Sequence, residues 1–157
     1  IEGVLKLERK PASYVLKPLI DSSLFYNRNQ DRDIEHLFVG VISEAKGLNN
    51  LRALYKDKDI HFVGKIAPGA VLDFGTYHGV VPYTEIPNYM NRAKNFVFLP
   101  RWPEPQGRVV VEAALCGCNL VANGNVGATS FPFDISEPRN FAAANEEFWE
   151  KIEGLDL

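Results

Sequence analysis

Apolar and polar positions along the chain alternate between the period of a strand and the period of a helix. The run "HLFVGVI" at 36–42 predicts a buried strand, and "KGLNNLRALYKD" from Lys46 predicts a helix. The apolar positions of that helix are Leu48, Leu51, Leu54 and Tyr55. Together the two segments predict a β-α unit, the building block of a parallel sheet.

Glycine and proline punctuate the middle of the chain and interrupt any long element there. A short strand is predicted in "DIHFVG" at 59–64, and "GVV" at 79–81 predicts another short strand. The segment "TEIPNYMNRA" predicts a short helix with Thr84 as its cap. The alternation then resumes with "NFVFLP", a predicted strand that stops at Pro100.

The last third of the chain continues the same alternation. In spite of its valines, "GRVVVEAALCG" predicts a helix that begins near Gly107, and "NLVAN" at 119–123 predicts a strand. The ending "SEPRNFAAANEEFWEKIEGL" predicts one helix, with Ser136 as the cap and Pro138 in the first turn.

This pattern predicts an α/β fold, a Rossmann-like parallel sheet with helices on both faces. The length of 157 residues suits one domain with a sizeable core, so residues 1–157 are expected to form a single domain. Because the chain starts at Ile1 rather than at a methionine, it is expected to be part of a longer protein.

Composition and charge exclude several classes of protein. The chain is 46% hydrophobic and 24% charged, as folded globular proteins usually are, and its net charge is −3. A nucleic-acid partner is not expected, since the basic surface it needs is missing. No apolar run approaches the roughly 20 residues of a membrane span, so no transmembrane segment is expected. Cys116 and Cys118 predict small buried residues in a reducing compartment, and therefore a cytoplasmic location.

The loop before the helix at Gly107 is the candidate for ligand chemistry. In parallel sheets, ligands bind at the carboxyl ends of strands, where the strand order reverses. A helix that begins near Gly107 leaves the amides of Gly107, Arg108 and Val109 without intrahelical acceptors, and such amides bind anions.

Two carboxylates, Glu104 and Glu112, flank these amides in "EPQGRVVVE". Carboxylates would repel a phosphate, so the pattern favours hydrogen bonds to sugar hydroxyls on each side of a diphosphate. The alternative is an exposed helix on which Arg108 and Glu112 form an ordinary ion pair four residues apart.

The spacing E-x7-E, followed by "AALCGCNLVAN", resembles the donor-binding motif of the retaining glycosyltransferases of family 4, which have the two-domain GT-B architecture. Further matching segments follow in the family's order: "VLKPLIDSSLF" at 15–25, "FVGVISEAKG" at 38–47, "HGVVPYTEIPNYMNRAKNFVFLP" at 78–100 and "NVGATS" at 125–130. The resemblance covers about residues 15–153 and implies the C-terminal half of such an enzyme, with residues 1–25 following the interdomain linker.

The resemblance also implies a role for each matching residue. Glu104 would hydrogen-bond the transferred sugar and Lys46 would neutralise the leaving diphosphate, so these two would be the catalytic residues. Glu112 would bind the ribose, and the backbone around Val80 the base. The remaining substrate-binding residues would be Gln106 and the diphosphate-binding amides of Gly107, Arg108 and Val109. No metal or cofactor is implied, and the ligand would be a nucleoside diphosphate sugar.

The sequence departs from the family at three points. Many relatives have an arginine where this chain has Val41, and relatives tend to have Gly-Phe-Gly where Pro105 and Gln106 stand. The resemblance leaves the family's acceptor-binding N-terminal domain without a counterpart in residues 1–157. This chain alone is therefore expected to be inactive, and any association with a membrane is expected to come through that domain. Two alternatives stay open: a nucleotide-sugar-binding module without turnover, which Val41 favours, and a flavodoxin-like interaction domain without nucleotide.

The remaining candidates are histidines and one tryptophan. His36, His61 and His78 lack the spacing of a metal site or a catalytic triad and predict ordinary strand or loop roles. Trp102 precedes Glu104 and is expected either to stack on a sugar or base or to pack under the loop.

Overall fold

A computed structural model describes residues 16–154, so most of the predicted post-linker segment at 1–25 lies outside the described residues. Five parallel strands form one sheet in the order β3-β2-β1-β4-β5. The strands are β1 Ile34–Val39, β2 Ile60–Val63, β3 Thr76–Tyr77, β4 Ala93–Phe98 and β5 Asn119–Ala122. This is the order of the first five strands of the doubly wound Rossmann sheet, 3-2-1-4-5-6, whereas a flavodoxin-like sheet has the order 2-1-3-4-5. The flavodoxin-like alternative is therefore wrong in topology.

Helices cover both faces of the sheet, as predicted. They are α1 Leu48–Tyr55, α2 Ile86–Arg92, α3 Arg108–Leu115, α4 Arg139–Ala142 and α5 Ala144–Glu153. The connections from β1 to β2 and from β4 to β5 run in opposite directions, so right-handed crossovers place α1 and α3 on opposite faces. Helix α2 packs against β1, β4 and α3 and thus shares the face of α3.

The core lies in and against the central strands, whose apolar runs are buried on both sides. Phe38 in β1 packs against Phe62 in β2 and Phe98 in β4, with ring centroids 5.8 and 6.0 Å apart. Leu48 and Leu51 of α1 are buried as predicted, but Leu54 is 56% exposed. This eight-residue helix buries one face, which Leu48, Leu51 and Tyr55 fill, and Leu54 lies outside that face.

The third strand lies earlier than predicted, at Thr76–Tyr77 instead of 79–81. Gly79 has a φ of 81°, which turns the backbone out of the strand conformation before Val80. Thr84 does not cap a helix, because it lies inside a 3-10 turn, Tyr83–Glu85, that leads into α2. Proline in the first turn of α2 suits this start.

The predicted C-terminal helix is two helices, α4 and α5, which are separated at Ala143 with φ −102° and ψ 13°. Ser136 does not cap either helix; its amide and hydroxyl both donate to the Asp134 carboxylate. Phe141 is buried edge-on against Phe133, whereas Trp149 is 55% exposed. The buried Phe141 anchors α4 to the core, and the non-helical backbone of Ala143 separates α5 from it.

Two loops meet at the carboxyl edge of the sheet, one from β1 to α1 and one from β4 to α3. The amide of Arg101 donates to the carbonyl of Ala45 at 3.0 Å, and Asn50 Nδ2 donates to the carbonyl of Leu99 at 3.3 Å. Gly47 has a φ of 89°, and a Cβ at this position would lie 2.0 Å from the Leu99 oxygen. Only glycine permits this contact between the two backbones.

We expect Gly47→Ala to destabilise the fold by about 2 to 5 kcal/mol, since it combines left-handed strain with a collision against Leu99. Urea denaturation measures the change. Gly69→Ala is the matched control, because Gly69 also has a positive φ, 78°, but no atom lies within 4 Å of its Cβ position. The control should lose only about 1 to 2 kcal/mol. Equal losses in the two variants would show that the contact between the loops does not constrain the chain.

Candidate functional site

The predicted catalytic residues meet where the strand order reverses. Lys46 lies in the loop after β1, Glu104 lies in the loop after β4, and their side chains form an ion pair. The Lys46 side chain is 29% exposed and that of Glu104 is 25% exposed, so solvent reaches both. The Lys46 ammonium also lies 5.7 Å from the centre of the Phe98 ring. The structure therefore places a cation and a carboxylate together in the crevice where α/β sheets bind ligands.

The backbone of Glu104 is fixed by the turn after β5. Its amide donates to the carbonyl of Asn125 at 2.7 Å, and its carbonyl accepts from the amide of Gly127 at 2.8 Å. The side-chain amides of Asn123 and Asn125 both donate to the carbonyl of Pro100, at 2.9 and 2.8 Å. Asn125 and Gly127 of the segment "NVGATS", together with Asn123 just before it, thus hold the site loop in place.

Helix α3 begins at the predicted position. Gly107 precedes it with φ 60° and ψ 41°, and a Cβ on Gly107 would lie 2.7 Å from Val126 Cγ1. The first amide of this turn with a partner in the helix is that of Val110, which donates to the carbonyl of Gly107 at 2.9 Å. The amides of Gly107, Arg108 and Val109 therefore lie at the free end of an eight-residue helix, next to Glu104.

Glu112 is buried inside this helix, with 3% of its surface exposed. Its Oε1 accepts hydrogen bonds from the Tyr83 hydroxyl at 2.6 Å and from Arg108 Nε at 2.8 Å. Burial raises the pKa of this carboxyl group, and the bonds from Tyr83 and Arg108 oppose the rise. The alternative of an exposed helix is wrong, although the ion pair with Arg108 that it proposed does exist.

Tyr83 is a residue of the candidate site that the sequence analysis missed. Its hydroxyl also accepts a hydrogen bond from the Arg108 guanidinium, which lies 5.2 Å from the centre of its ring. Burial, followed by the neighbouring Glu112 carboxylate, raises the pKa of Tyr83 to about 12. The sequence did offer one indication of its place: Tyr83 lies three residues after Val80, in the segment that is expected to bind the base.

The other predicted site residues lie on the surface around these groups. Val80 is 71% exposed in the loop that leads to Tyr83, and Gln106 is half-buried before Gly107. Trp102 is 68% exposed, so the expectation that it packs under its loop is wrong. Val41 is 45% exposed and places no charge at the end of β1.

Two of the histidines, His61 and His78, lie next to each other, although they are 17 positions apart in the sequence. His61 Nδ1 lies 2.8 Å from His78 Nε2, and His61 Nε2 lies 3.1 Å from a carboxylate oxygen of Asp59. Burial lowers the pKa of His78, and the nearby His61 and Arg92 lower it further. Within residues 16–154, no group of three or more His, Cys, Asp or Glu side chains is arranged to hold a metal ion.

Cys116 and Cys118 are free and buried, as predicted. Burial raises the pKa of Cys116 to about 12 and that of Cys118 to about 11, so neither is a reactive thiolate at neutral pH. Among the helices between residues 16 and 154, none has the length and apolar character to cross a bilayer.

Several solved structures share this fold. The Anabaena protein HepE, in a crystal structure with UDP and glucose, has a TM-score of 0.65 and 18% sequence identity over 90% of this chain and 57% of that chain. HepE in complex with UDP-glucose has a TM-score of 0.59 and 18% sequence identity over 89% of this chain and 49% of that chain. Sucrose-phosphate synthase from Thermosynechococcus elongatus has a TM-score of 0.65 and 19% sequence identity over 95% of this chain and 47% of that chain. This chain spans roughly half the length of these proteins.

At such low identity, the likeness shows the fold. No family model matches the chain, and no curated protein matches it. The prediction of a Rossmann-like α/β fold corresponding to one half of the GT-B architecture is confirmed, and membership in family 4 stays a prediction.

We expect Glu112→Gln to leave the free energy of unfolding at pH 7 unchanged or higher by up to about 1 kcal/mol, because it removes a charge that burial disfavours. The raised pKa means that the carboxyl group contributes stability below its ordinary value of 4.5, and this contribution is lost as the pH rises through the folded-state pKa. The variant should therefore change less in stability above pH 4.5 than the wild type does.

Urea denaturation across this pH range is the measurement, and Glu150→Gln on the exposed side of α5 is the control. A loss of more than about 2 kcal/mol at pH 7 would mean that the Glu112 carboxylate holds the structure together.

Proposed function

We propose that this chain is the donor-binding half of a retaining glycosyltransferase, which moves a glycosyl group from a nucleoside diphosphate sugar to an acceptor. The observation that carries the proposal is the ion pair of Lys46 with Glu104 at the strand-order reversal, directly beside the free amides of α3. This arrangement supplies donors for a diphosphate and a carboxylate for sugar hydroxyls within one crevice. The complexes of HepE with UDP, glucose and UDP-glucose support a ligand of the same class.

The proposed chemistry follows from the charges. As the bond from the anomeric carbon to the diphosphate oxygen breaks, negative charge grows on the leaving group. The amides of Gly107, Arg108 and Val109 and the Lys46 ammonium stabilise that charge without a metal ion. Binding of the donor exchanges partners: Lys46 turns from Glu104 to the diphosphate, and Glu104 accepts hydrogen bonds from the sugar.

The nucleoside would lie farther along the first turns of α3 than the diphosphate does. Glu112 lies more than one helical turn beyond Gly107, and Tyr83 links it to the loop that carries Val80. A ribose at Glu112 and a base along Val80 would therefore adjoin the diphosphate in the order that a nucleoside diphosphate requires.

An N-terminal domain would bind the acceptor and close the crevice, so this chain alone is proposed to bind the donor without transferring the sugar. Its free, buried cysteines fit a reducing compartment such as the cytoplasm. A second function, donor binding without turnover, is favoured by Val41, whose apolar side chain is half exposed where a second cation would act. Transfer assays with the two-domain protein separate the two functions.

Replacement of Lys46 by alanine should weaken binding of a nucleoside diphosphate by about 1 to 3 kcal/mol, and binding of the nucleoside much less, because the lysine charge acts on phosphate. Isothermal titration calorimetry measures both affinities. Lys65→Ala is the control, since Lys65 is an exposed lysine on the same edge of the sheet. Equal losses for the nucleoside and its diphosphate would place Lys46 away from the phosphates.

The two glutamates should respond to different ligands. Glu112→Ala should weaken the nucleoside diphosphate and its sugar conjugate alike, by about 1.5 to 3 kcal/mol, because both contain the ribose. Glu104→Ala should weaken only the conjugate, and the freed Lys46 should keep or strengthen binding of the diphosphate itself. Glu112→Gln should fall between wild type and alanine, since it keeps an acceptor oxygen.

Calorimetry with both ligands tests this pattern after circular dichroism has shown that each variant is folded, with Glu150→Ala as a surface control. If both alanine variants bind every ligand as the wild type does, the site assignment is wrong.

A further inference from the structure

A pair of histidines joins the shortest strand of the sheet to its neighbour. Strand β3 has two residues, Thr76 and Tyr77, both exposed, and it pairs with β2 at the edge of the sheet. His61 lies in β2 and His78 directly follows β3. Nδ1 of His61 is 2.8 Å from Nε2 of His78, and the two ring centroids are 5.0 Å apart. Because so short a strand forms few backbone hydrogen bonds, side-chain contacts such as this one carry much of its attachment.

Two backbone hydrogen bonds lie next to the histidine pair. The amide of His78 donates to the carbonyl of Phe62 at 2.9 Å, and the amide of Gly64 donates to the carbonyl of Gly79 at 2.8 Å. After Gly79 the chain continues into Val80, which is 71% exposed in the loop that is expected to bind the base. The position of that loop therefore depends on the attachment of His78 and Gly79 to β2.

The proton positions in the pair follow from Asp59. Its carboxylate lies 3.1 Å from Nε2 of His61 and accepts hydrogen bonds only, so this Nε2 carries a proton. In the neutral His61 ring, Nδ1 is then unprotonated and accepts the proton of His78 Nε2. One added proton still leaves a lone pair on one of the two facing nitrogens, and the bond is kept. A second added proton puts an N–H group on both facing nitrogens and a charge on both rings, so the bond is lost.

The titratable groups around the pair decide how readily the second proton binds. Those that face the two rings are Asp33, Asp59, Tyr89 and Arg92, and those that adjoin Asp59 are His36 and Lys94. Asp33 is paired with Arg92, so Asp59 is the carboxylate that stabilises a charge on His61.

The charge on His78 is disfavoured. Burial, followed by the charges of His61 and Arg92, holds the pKa of His78 below its ordinary value of 6.5. With a lowered pKa, the folded chain binds fewer protons than the unfolded chain. The closed pair therefore stabilises the fold above pH 6.5, and this stabilisation is lost as the pH falls through the folded-state pKa.

We propose that His61 and His78 form a proton-sensitive latch, which holds the edge strand β3 and the loop of Val80 against β2 at neutral pH and releases them in acid. When both rings are charged, the backbone bonds beside the pair open as one local unit, while the central strands stay closed. The effect on nucleotide binding rests on the proposed function, in which this loop contacts the base, whereas the latch itself does not.

Hydrogen exchange at single amides, corrected for the intrinsic effect of pH, tests the latch directly. In the wild type, the protection factors of the His78 and Gly64 amides should fall at least about fivefold between pH 7 and pH 5. The amide of Ile42, which donates to the carbonyl of Lys65 at 2.8 Å, is the internal control and should change less than about twofold. Constant protection at His78 and Gly64, or an equal loss at Ile42, would overturn the proposal.

His78→Phe is the diagnostic variant, because phenylalanine keeps a ring but neither bonds to His61 nor takes up a proton. Protection of the Gly64 amide in this variant should be independent of pH, and His61→Gln should behave in the same way if His78→Phe folds poorly. His36→Phe is the matched control, since His36 bonds to the carbonyl of Asp59 rather than to either ring, and it should keep the wild-type fall. A wild-type fall in both variants of the pair would show that these histidines are not the latch.

Binding of UDP measures the consequence for the proposed site. A terminal phosphate takes up a proton near pH 6, so the wild type and His78→Phe are compared at both pH values by calorimetry. Between pH 7 and pH 5, the affinity of the wild type should fall at least about threefold more than that of the variant. Equal falls would overturn the link between the latch and the loop of Val80. If the wild type binds none of UDP, GDP and ADP, the proposed function fails, and hydrogen exchange still decides the latch.

Discussion

The contact between the backbones of Gly47 and Leu99 is the constraint on which the site depends. Parallel strands bring their carboxyl ends to one edge, and the reversal of strand order after β1 and β4 leaves a crevice between two diverging connections. The glycine lets these connections touch at the base of the crevice, so Lys46, one residue earlier, faces the loop of Glu104. The fold topology thus determines where the crevice lies, and the missing side chain of Gly47 determines how closely its two loops approach each other.

Electrostatic balance explains why charged groups are tolerated in this crevice. Burial makes the Glu112 carboxylate costly, and two donors from different elements offset much of that cost. The Lys46–Glu104 pair likewise keeps the opposite end of the crevice neutral. At the start of α3, the amides of Gly107, Arg108 and Val109 have no acceptor among residues 16–154, and such amides favour an anion.

Local patterns predicted the parts of the structure that local forces determine. Uninterrupted apolar runs identified the central strands, and Gly107 marked the start of α3, because burial on both faces and a left-handed turn leave direct traces in sequence. Local patterns did not identify Tyr83, since its partner Glu112 lies 29 positions away and no periodicity links the two residues. The pairing of His61 with His78, like the break at Ala143, depends on tertiary packing that one-dimensional patterns do not record.

The turn after β5 also affects the order in which the parts of the site can form during synthesis. Asn125 and Gly127 hold the backbone of Glu104 from a later part of the chain, although Lys46, Glu104 and Glu112 all precede them in sequence. A ribosome makes the chain from the N-terminus, so every residue proposed to bind ligand has been synthesised before the segment that fixes the loop. The loop of Glu104 therefore gains these two backbone hydrogen bonds only after Gly127 has been synthesised and the turn after β5 has formed.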